Sequence, residues 1–405
     1  MIQKNILLII LLVILFSCNR ERKAIVLPEG AISVNGWVLP LKIYDSIPGN
    51  FLFDTGCYAM YIDSLYLSTI PLDTTGKTGA HTLHGSGEGK QETMYIRGPI
   101  ACYLDTLSSV LPYAIITQLK PISGKSLDGV VGWDYLKDYM IEFNAANNYI
   151  RIISPDSLQN LQGYQKLSLI HEGYFYYITA KVAVTDSIEI DGEFLFDTGY
   201  SGSIRFTTAV AEQNHFSANL SNTITSYSSH AGFGGKSKWV SFRAKPLTIG
   251  DFEINSPILS FSKDTAGILS VGNYKGFYRN HNGLLGTEIL KHFEIIIDFP
   301  HKHLYVRPSK NFNKEEQVDR SGFAFADRTD ICDGLIVRSL QEQQNAEKVG
   351  IRLGDTITHI NEKAVKELVI EDVHEILKKK KSVGLTIRRG NESLQIKLPL
   401  IDKPI

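Results

Sequence analysis

The hexapeptide Phe-Leu-Phe-Asp-Thr-Gly occurs at residues 51–56 and again at 194–199. Each copy closes an apolar stretch and sets one carboxylate, Asp54 or Asp197, where a strand must turn. Alone, such a triplet is a good turn, because Gly admits positive φ and Asp bonds nearby amides. Two copies permit more. If the segments carrying them pack about an approximate two-fold axis, Asp54 and Asp197 come face to face. Two carboxylates ~3 Å apart repel by about 5 kcal/mol at an effective dielectric of 20, so one proton serves both over a broad pH range and the pair titrates jointly. The ionised member can take a proton from a bound water while the protonated member polarises a carbonyl. The chemistry this predicts is amide hydrolysis by a water held between Asp54 and Asp197.

The elements that must position these acids are strands. From residue 31 to 310 the chain reads as short alternating runs broken by Gly, Asn, Asp and Pro, as in "AISVNGWVLPLKIYD" and "YYITAKVAVTDSIEIDG", which predicts an all-β region. Its halves correspond beyond the hexapeptide. The later segments "DGVVGWDYLKDYMIEF" and "NGLLGTEILKHFEIII" share Gly132/Gly286, Leu136/Leu290, Lys137/Lys291, an aromatic at Tyr139/Phe293, and Ile141/Ile295. Internal duplication is the economical explanation. It gives a first lobe at 31–155 and a second at 165–309, joined by the polar "SPDSLQNLQGYQK". After the charged "RPSKNFNKEEQVDRSG", the pattern changes to mixed helix and strand, with a helical "IEDVHEILKKKK" followed by the strands "SVGLTIRR" and "ESLQIKLPL". This predicts a third domain at 319–400.

With both triplets and both aliphatic-aliphatic-Gly segments in view (Val130-Val131-Gly132 and Leu284-Leu285-Gly286), the first two lobes resemble the aspartic proteases of the retropepsin and pepsin clan. The resemblance implies a mostly β, bilobal, pseudo-two-fold acid-protease fold with Asp54 and Asp197 catalytic. It implies that Thr55 and Thr198 bond across to the opposite lobe, that Gly56 and Gly199 admit close approach to substrate, and that Gly132 and Gly286 help hold the turns. It also implies β-hairpin flaps. The candidates are "HTLHGSGEGKQ" (81–91), with Gly85 and Gly87, and "SHAGFGGKSK" (229–238), with Gly232, Phe233 and Gly234. The clan often has Ala or Ser after the triplet, where this chain has Cys57 and Tyr200. Without a serine hydroxyl to stabilise the ionised carboxylate, the expected pH optimum moves toward mild acid or neutrality. Cys57 is either an oxidation-sensitive group or a buried inert thiol.

Residues 319–400 resemble a PDZ domain. "GLIVRSL" precedes "NAEKVGIRLGDTITHINEKAV", in which Gly350-Ile351 and Gly354-Asp355 match the family pattern and Glu362 stands where glycine is common. The resemblance implies an α+β domain that binds an extended peptide or a free C-terminus along a strand edge. At the other end, Lys4 precedes the apolar run Ile6–Phe16, and Ser17 precedes Cys18. That run is shorter than the ~20 residues a membrane span needs and has the size of a signal-peptide core. The segment resembles a bacterial lipoprotein signal, residues 1–17, which implies lipid on Cys18. Asn19 rather than Asp at the next position points to the outer membrane, facing the periplasm. A plain secretory signal is the alternative.

Composition narrows the partners. The 405 residues are 43% hydrophobic and 21% charged, with 42 Lys and Arg against 43 Asp and Glu, an ordinary globular make-up with no bulk charge suited to nucleic acid. The basic run Lys378–Lys381 reads as a solvated helix end. Besides Cys18 there remain Cys57, Cys102 and Cys332, without CxxC spacing; Cys57 and Cys102 are free to pair or not. His81/His84 and His301/His303 lack an HExxH-type pattern and read as turn or surface positions. No metal and no organic cofactor is required. The reading is a monomeric, lipid-anchored aspartic endopeptidase whose partners are a peptide or protein substrate and a peptide or C-terminus at the PDZ domain. The rival is a peptide-binding lipoprotein that uses the same cleft and groove without cleaving. An enzyme active only as a homodimer is disfavoured, since the second half-site is present in cis.

Overall fold

In the strand Ile47–Asp54, Phe51 and Phe53 are fully buried and Leu52 only partly, the period-two pattern of a sheet packed on one face. Its counterpart Glu189–Phe196 buries Phe194, Leu195 and Phe196 alike, so that copy is covered on both faces. Each strand pairs antiparallel with the one before it, Gly36–Ile43 or Phe175–Ala183. On its other edge lies the aliphatic-Gly segment, running parallel. Phe53 faces Val131 and Asp54 faces Gly132 in one half, and Phe196 faces Leu285 in the other. The strands that leave the two turns, Met60–Asp63 and Ile204–Phe206, return antiparallel along the far side of the same aliphatic segments. Each Asp-Thr-Gly turn is therefore clamped between an entering and a leaving strand by a third strand threaded between them.

The computed structural model describes residues 25–405 apart from 28–31, 34–35, 45, 71–75, 146, 156–159, 271–279 and 404. Cys18 and the expected signal segment 1–17 lie outside the described residues. Among the described residues no helix is long and apolar enough to cross a membrane.

A six-stranded sheet joins the two halves. Met140–Asn144 from the first pairs antiparallel with Phe293–Asp298 from the second, and Tyr149–Ile153, His303–Pro308, Gln165–Ser168 and Ile25–Val26 extend it. The register that aligns Gly132 with Gly286 also aligns Glu142 with Ile296, and these two residues face each other across the central pair. The approximate two-fold axis passes between them. One apolar core runs through both lobes and this sheet, with Trp37 stacked on Phe143 at 3.7 Å. Because the sheet is built from both halves, the lobes are fixed relative to one another by backbone hydrogen bonds.

A second, separate core holds the C-terminal domain together. Its strands Phe323–Arg328, Gly334–Gln341, Thr356–Ile360, Ser382–Arg389 and Glu392–Pro399 surround the helix Ile370–Lys379. That helix carries Glu371 and Asp372 in its first turn and Lys378 and Lys379 in its last, which complements the helix dipole and accounts for the basic run. Glu362 adopts φ +70°, the left-handed region where glycine is at ease and other side chains meet a cost of about 1–2 kcal/mol.

The domain is not a loosely tethered appendage. Ser226, Tyr227 and Ser228 of the second lobe pair antiparallel with Gln341, Leu340 and Ser339, so one sheet runs from that lobe into the domain. On the other side the Lys125 amide of the first lobe donates to Asp327 O at 2.8 Å. The domain bridges both lobes.

Candidate active site

The threonines of the two triplets lock the turns together. Thr55 Oγ1 donates to Phe196 O at 2.5 Å and accepts from the Thr198 amide at 3.0 Å. Reciprocally, Thr198 Oγ1 donates to Phe53 O at 2.8 Å and accepts from the Thr55 amide at 3.0 Å. Both side chains are buried, at 0% and 1% exposure, so each hydroxyl satisfies a backbone donor and acceptor that have no access to water. Thr55→Val keeps the shape and strips the hydroxyl, leaving the Thr198 amide and the Phe196 carbonyl unpaired, a cost of about 2–6 kcal/mol at roughly 1–3 kcal/mol per group. Thr55→Ser should lose under about 1 kcal/mol by the same reasoning. Equal denaturant midpoints for the two variants would contradict this account of the lock.

Neither Gly56 nor Gly199 has positive φ, so the turn-conformation reason for glycine does not hold at either position. Close approach is the reason, and what approaches is the other acid. A Cβ on Gly199 would lie 2.3 Å from the Asp54 carboxyl carbon, and a Cβ on Gly56 would lie 2.9 Å from that of Asp197. Gly132 and Gly286 serve the same end one layer below. Added Cβ atoms there would meet Cys57 O at 2.6 Å and Gly202 O at 2.3 Å, while the Gly132 and Gly286 amides donate to Ala59 O at 3.0 Å and Ser203 O at 2.7 Å.

Asp54 and Asp197 are thus brought into mutual hydrogen-bonding contact, and their surroundings differ. Asp54 accepts from the Gly56 amide at 2.7 Å and from the Cys57 thiol at 3.1 Å, with the Gly199 amide and Asp197 adding further bonds. Asp197 accepts from the Gly199 and Tyr200 amides at 3.0 and 2.9 Å. Burial raises the pKa of both, and the two titrate as one coupled pair. The hydrogen bonds hold Asp54 back, whereas the charge of Asp54 drives Asp197 well above the usual carboxylate range. Two such acids side by side titrate jointly, in separate steps that belong to the pair. Cys57 fills the donor place that a serine hydroxyl would take. Burial, followed by the charge of Asp54, pushes its own pKa well up, so it remains a thiol and a donor rather than a reactive thiolate. Cys57, Cys102 and Cys332 are all unpaired.

The two glycine-rich hairpin tips meet over this floor. The Gly234 amide donates to Ser86 O at 2.9 Å, and the Gly89 amide to Gly234 O at 2.7 Å. Gly87 adopts φ +106° and Gly232 φ +74°. A Cβ on Gly85 would lie 3.2 Å from Phe233, whose ring stacks on Tyr61 at 5.1 Å. Beneath the tips lies a cleft of about 560 Å³ lined by Asp54, Asp197, Gly85, Gly232 and Phe233, a volume suited to a few residues of an extended chain.

Several lining residues were not singled out individually by the sequence, although His81, His84 and His230 lie within the two flap candidates. His81 and His84, read as turn or surface positions, face the cleft, as do His230, Arg205 and Trp239. Ala324, Arg338 and Ser339 reach it from the C-terminal domain, so the domain expected to recruit substrate is also a wall of the cleft. Among the described residues no cluster of three His, Cys, Asp or Glu is placed to hold a metal ion.

The chain is a mostly β protein of two barrel-like lobes about an approximate two-fold axis, followed by a PDZ domain. Residues 317–400 match the model of the PDZ domain family. An aspartic proteinase from Irpex lacteus, known from its crystal structure, is similar at 12% identity and a TM-score of 0.44, over 72% of this chain and 99% of that one. No curated protein sequence matches the chain.

Proposed function

We propose that the chain is an aspartic endopeptidase acting within one polypeptide, with its PDZ domain binding substrate or partner peptides. The observation that supports it is the contact between the carboxyls of two equivalent turns at the floor of a roofed cleft. In this mechanism Asp54 is the base. Water gives a proton to Asp54 as its oxygen bonds to the scissile carbonyl carbon, while the Asp197 proton moves toward the carbonyl oxygen. Collapse of the tetrahedral diol returns that proton to Asp197, breaks the carbon–nitrogen bond, and passes the water-derived proton from Asp54 to the leaving amine. The hairpin tips exclude bulk water during these steps. A lipid on Cys18 would tether the enzyme to the outer membrane, facing the periplasm.

The test is digestion of a mixed peptide library by the purified full chain in ¹⁸O-enriched water across mild acid to neutral pH. Each new C-terminus should carry label from a single solvent water. Tight peptide binding with no cleavage at any pH would instead favour a peptide-binding lipoprotein.

The pH profile should be bell-shaped. Activity falls on the acid side as Asp54 takes a second proton into the pair, and on the alkaline side as Asp197 loses the first. Both pKa values lie above the ordinary 3.8 of aspartate, so both limbs are displaced upward. A maximum below about pH 3 would contradict this assignment. Because the Cys57 bond lowers the Asp54 pKa, Cys57→Ala should move the acid limb up and leave the alkaline limb nearly in place.

A further inference from the structure

Apart from the acid pair, the charged groups lining the cleft among the described residues are basic. They are Arg205 and Arg338, and the imidazoles of His81, His84 and His230 also face the cleft. Arg205 is already engaged. Its guanidinium lies over the Trp239 and Tyr200 rings at 4.4 and 5.2 Å, and its Nε donates to Ser260 Oγ at 3.3 Å. Arg338 is different. Its Nη1 donates to Ile122 O at 2.7 Å, while its Nε is buried with no partner. Burial pulls the guanidinium below its usual value, and no neighbouring carboxylate compensates. The acid pair does not serve as its counter-charge.

Arg338 is also rigidly placed. Its carbonyl accepts from the Ser229 amide at 3.0 Å and from Ser228 Oγ at 2.9 Å, which fixes it to the base of the second-lobe hairpin. The Nη1 bond to Ile122 fixes the head group to the first lobe. Held from both sides, the side chain loses little freedom when a ligand arrives. A desolvated, unpaired guanidinium is costly to a folded protein, and its planar fork matches a carboxylate in two parallel hydrogen bonds.

We propose that Arg338 is a specificity-determining residue that receives a carboxylate of the substrate. The cleft then prefers peptides bearing an acidic side chain near the scissile bond or a free C-terminus there. The proposal deepens the peptidase reading of the same cleft and rests on it.

The test uses one cleavable core peptide in three forms with the full-length protein. These are a neutral C-terminal amide, the amide with Glu replacing Gln beside the scissile bond, and the neutral peptide with a free C-terminal acid. Wild type should favour at least one carboxylate form over the neutral amide by about 10- to 100-fold in kcat/KM, the scale of one buried charge-assisted bond. Which form is favoured identifies the source of the carboxylate. In Arg338→Met the ratio should collapse toward one, and in Arg338→Lys it should fall between. No preference in wild type, or an undiminished preference in Arg338→Met, overturns the proposal. Should Arg338→Met fail to fold, the wild-type ratio and its reduction in Arg338→Lys decide. Should wild type cleave none of the peptides, the peptidase reading fails by itself. Fluorescence anisotropy of the same three labelled peptides then tests Arg338 separately, with equal affinities for all three counting against it.

Discussion

Asp197→Asn is expected to lower kcat/KM on any cleaved peptide by at least about 10³-fold, and Asp54→Asn by a similar factor, since each removes one half of a paired acid and base whose separate contributions are about 10²–10⁴-fold. Asparagine preserves the shape and still accepts from the Gly199 and Tyr200 amides that hold Asp197, so the turn should survive. It cannot exchange a proton at working pH. Stability should move the opposite way. Both aspartates have raised pKa values in the fold, so the native state holds their proton more tightly than the unfolded chain does. Their contribution is then most favourable below the unfolded value of 3.8 and is lost as pH rises through the folded values. Removing one carboxyl removes that penalty, and each Asn variant should be at least as stable as wild type near neutrality. A variant that lost activity together with several kcal/mol of stability would show a structural rather than a chemical role.

Gly199→Ala should be nearly as damaging by a different route. The added Cβ would sit 2.3 Å from the Asp54 carboxyl, nearer than carbon and oxygen tolerate. Asp54 is the atom group that can move, because the turn is pinned by the crossed threonines. Swinging Asp54 aside separates the carboxyls, and a displacement of about 1 Å in a reacting group costs on the order of 10²-fold. Gly56→Ala places its Cβ 2.9 Å from the Asp197 carboxyl, a lesser conflict, and should be the milder variant. Steady-state kinetics on one peptide checks the order. Gly56→Ala proving the worse of the two would mean that the carboxyls do not meet as described.

What the sequence made legible was local or repeated. Period-two runs marked the strands around both hexapeptides, and repetition singled out Asp54, Asp197, Gly132 and Gly286 without any contact being known. The helix Ile370–Lys379 announced itself through its amphipathic pattern and its charged ends. Apart from the meeting of the two triplets, contacts between distant segments were not legible. Nothing in "MIEF" and "FEIIID" says that these strands leave their own lobes to pair with each other. Nothing in "GLIVRSLQ" says that its end will extend the second lobe's sheet and set Arg338 in the cleft. Such pairings depend on which edges are left open once each domain has folded, a property of assembled surfaces rather than of any short stretch of residues. The glycines of the triplets illustrate a subtler gap. The residue type was informative, but the usual reason for it, positive φ, was not the operative one.

The central claim is that Asp54 and Asp197 together hold a single proton across the working pH range. Carbon-13 NMR of protein labelled at the aspartate carboxyl carbons, with the two signals assigned through the Asn variants, measures this directly. The two resonances should titrate in separate steps, each affecting both carboxyls, with Asp197 releasing its proton well above the ordinary aspartate value and Asp54→Asn merging the behaviour into one step. Two independent transitions near 3.8, indifferent to substitution of the partner, would contradict it.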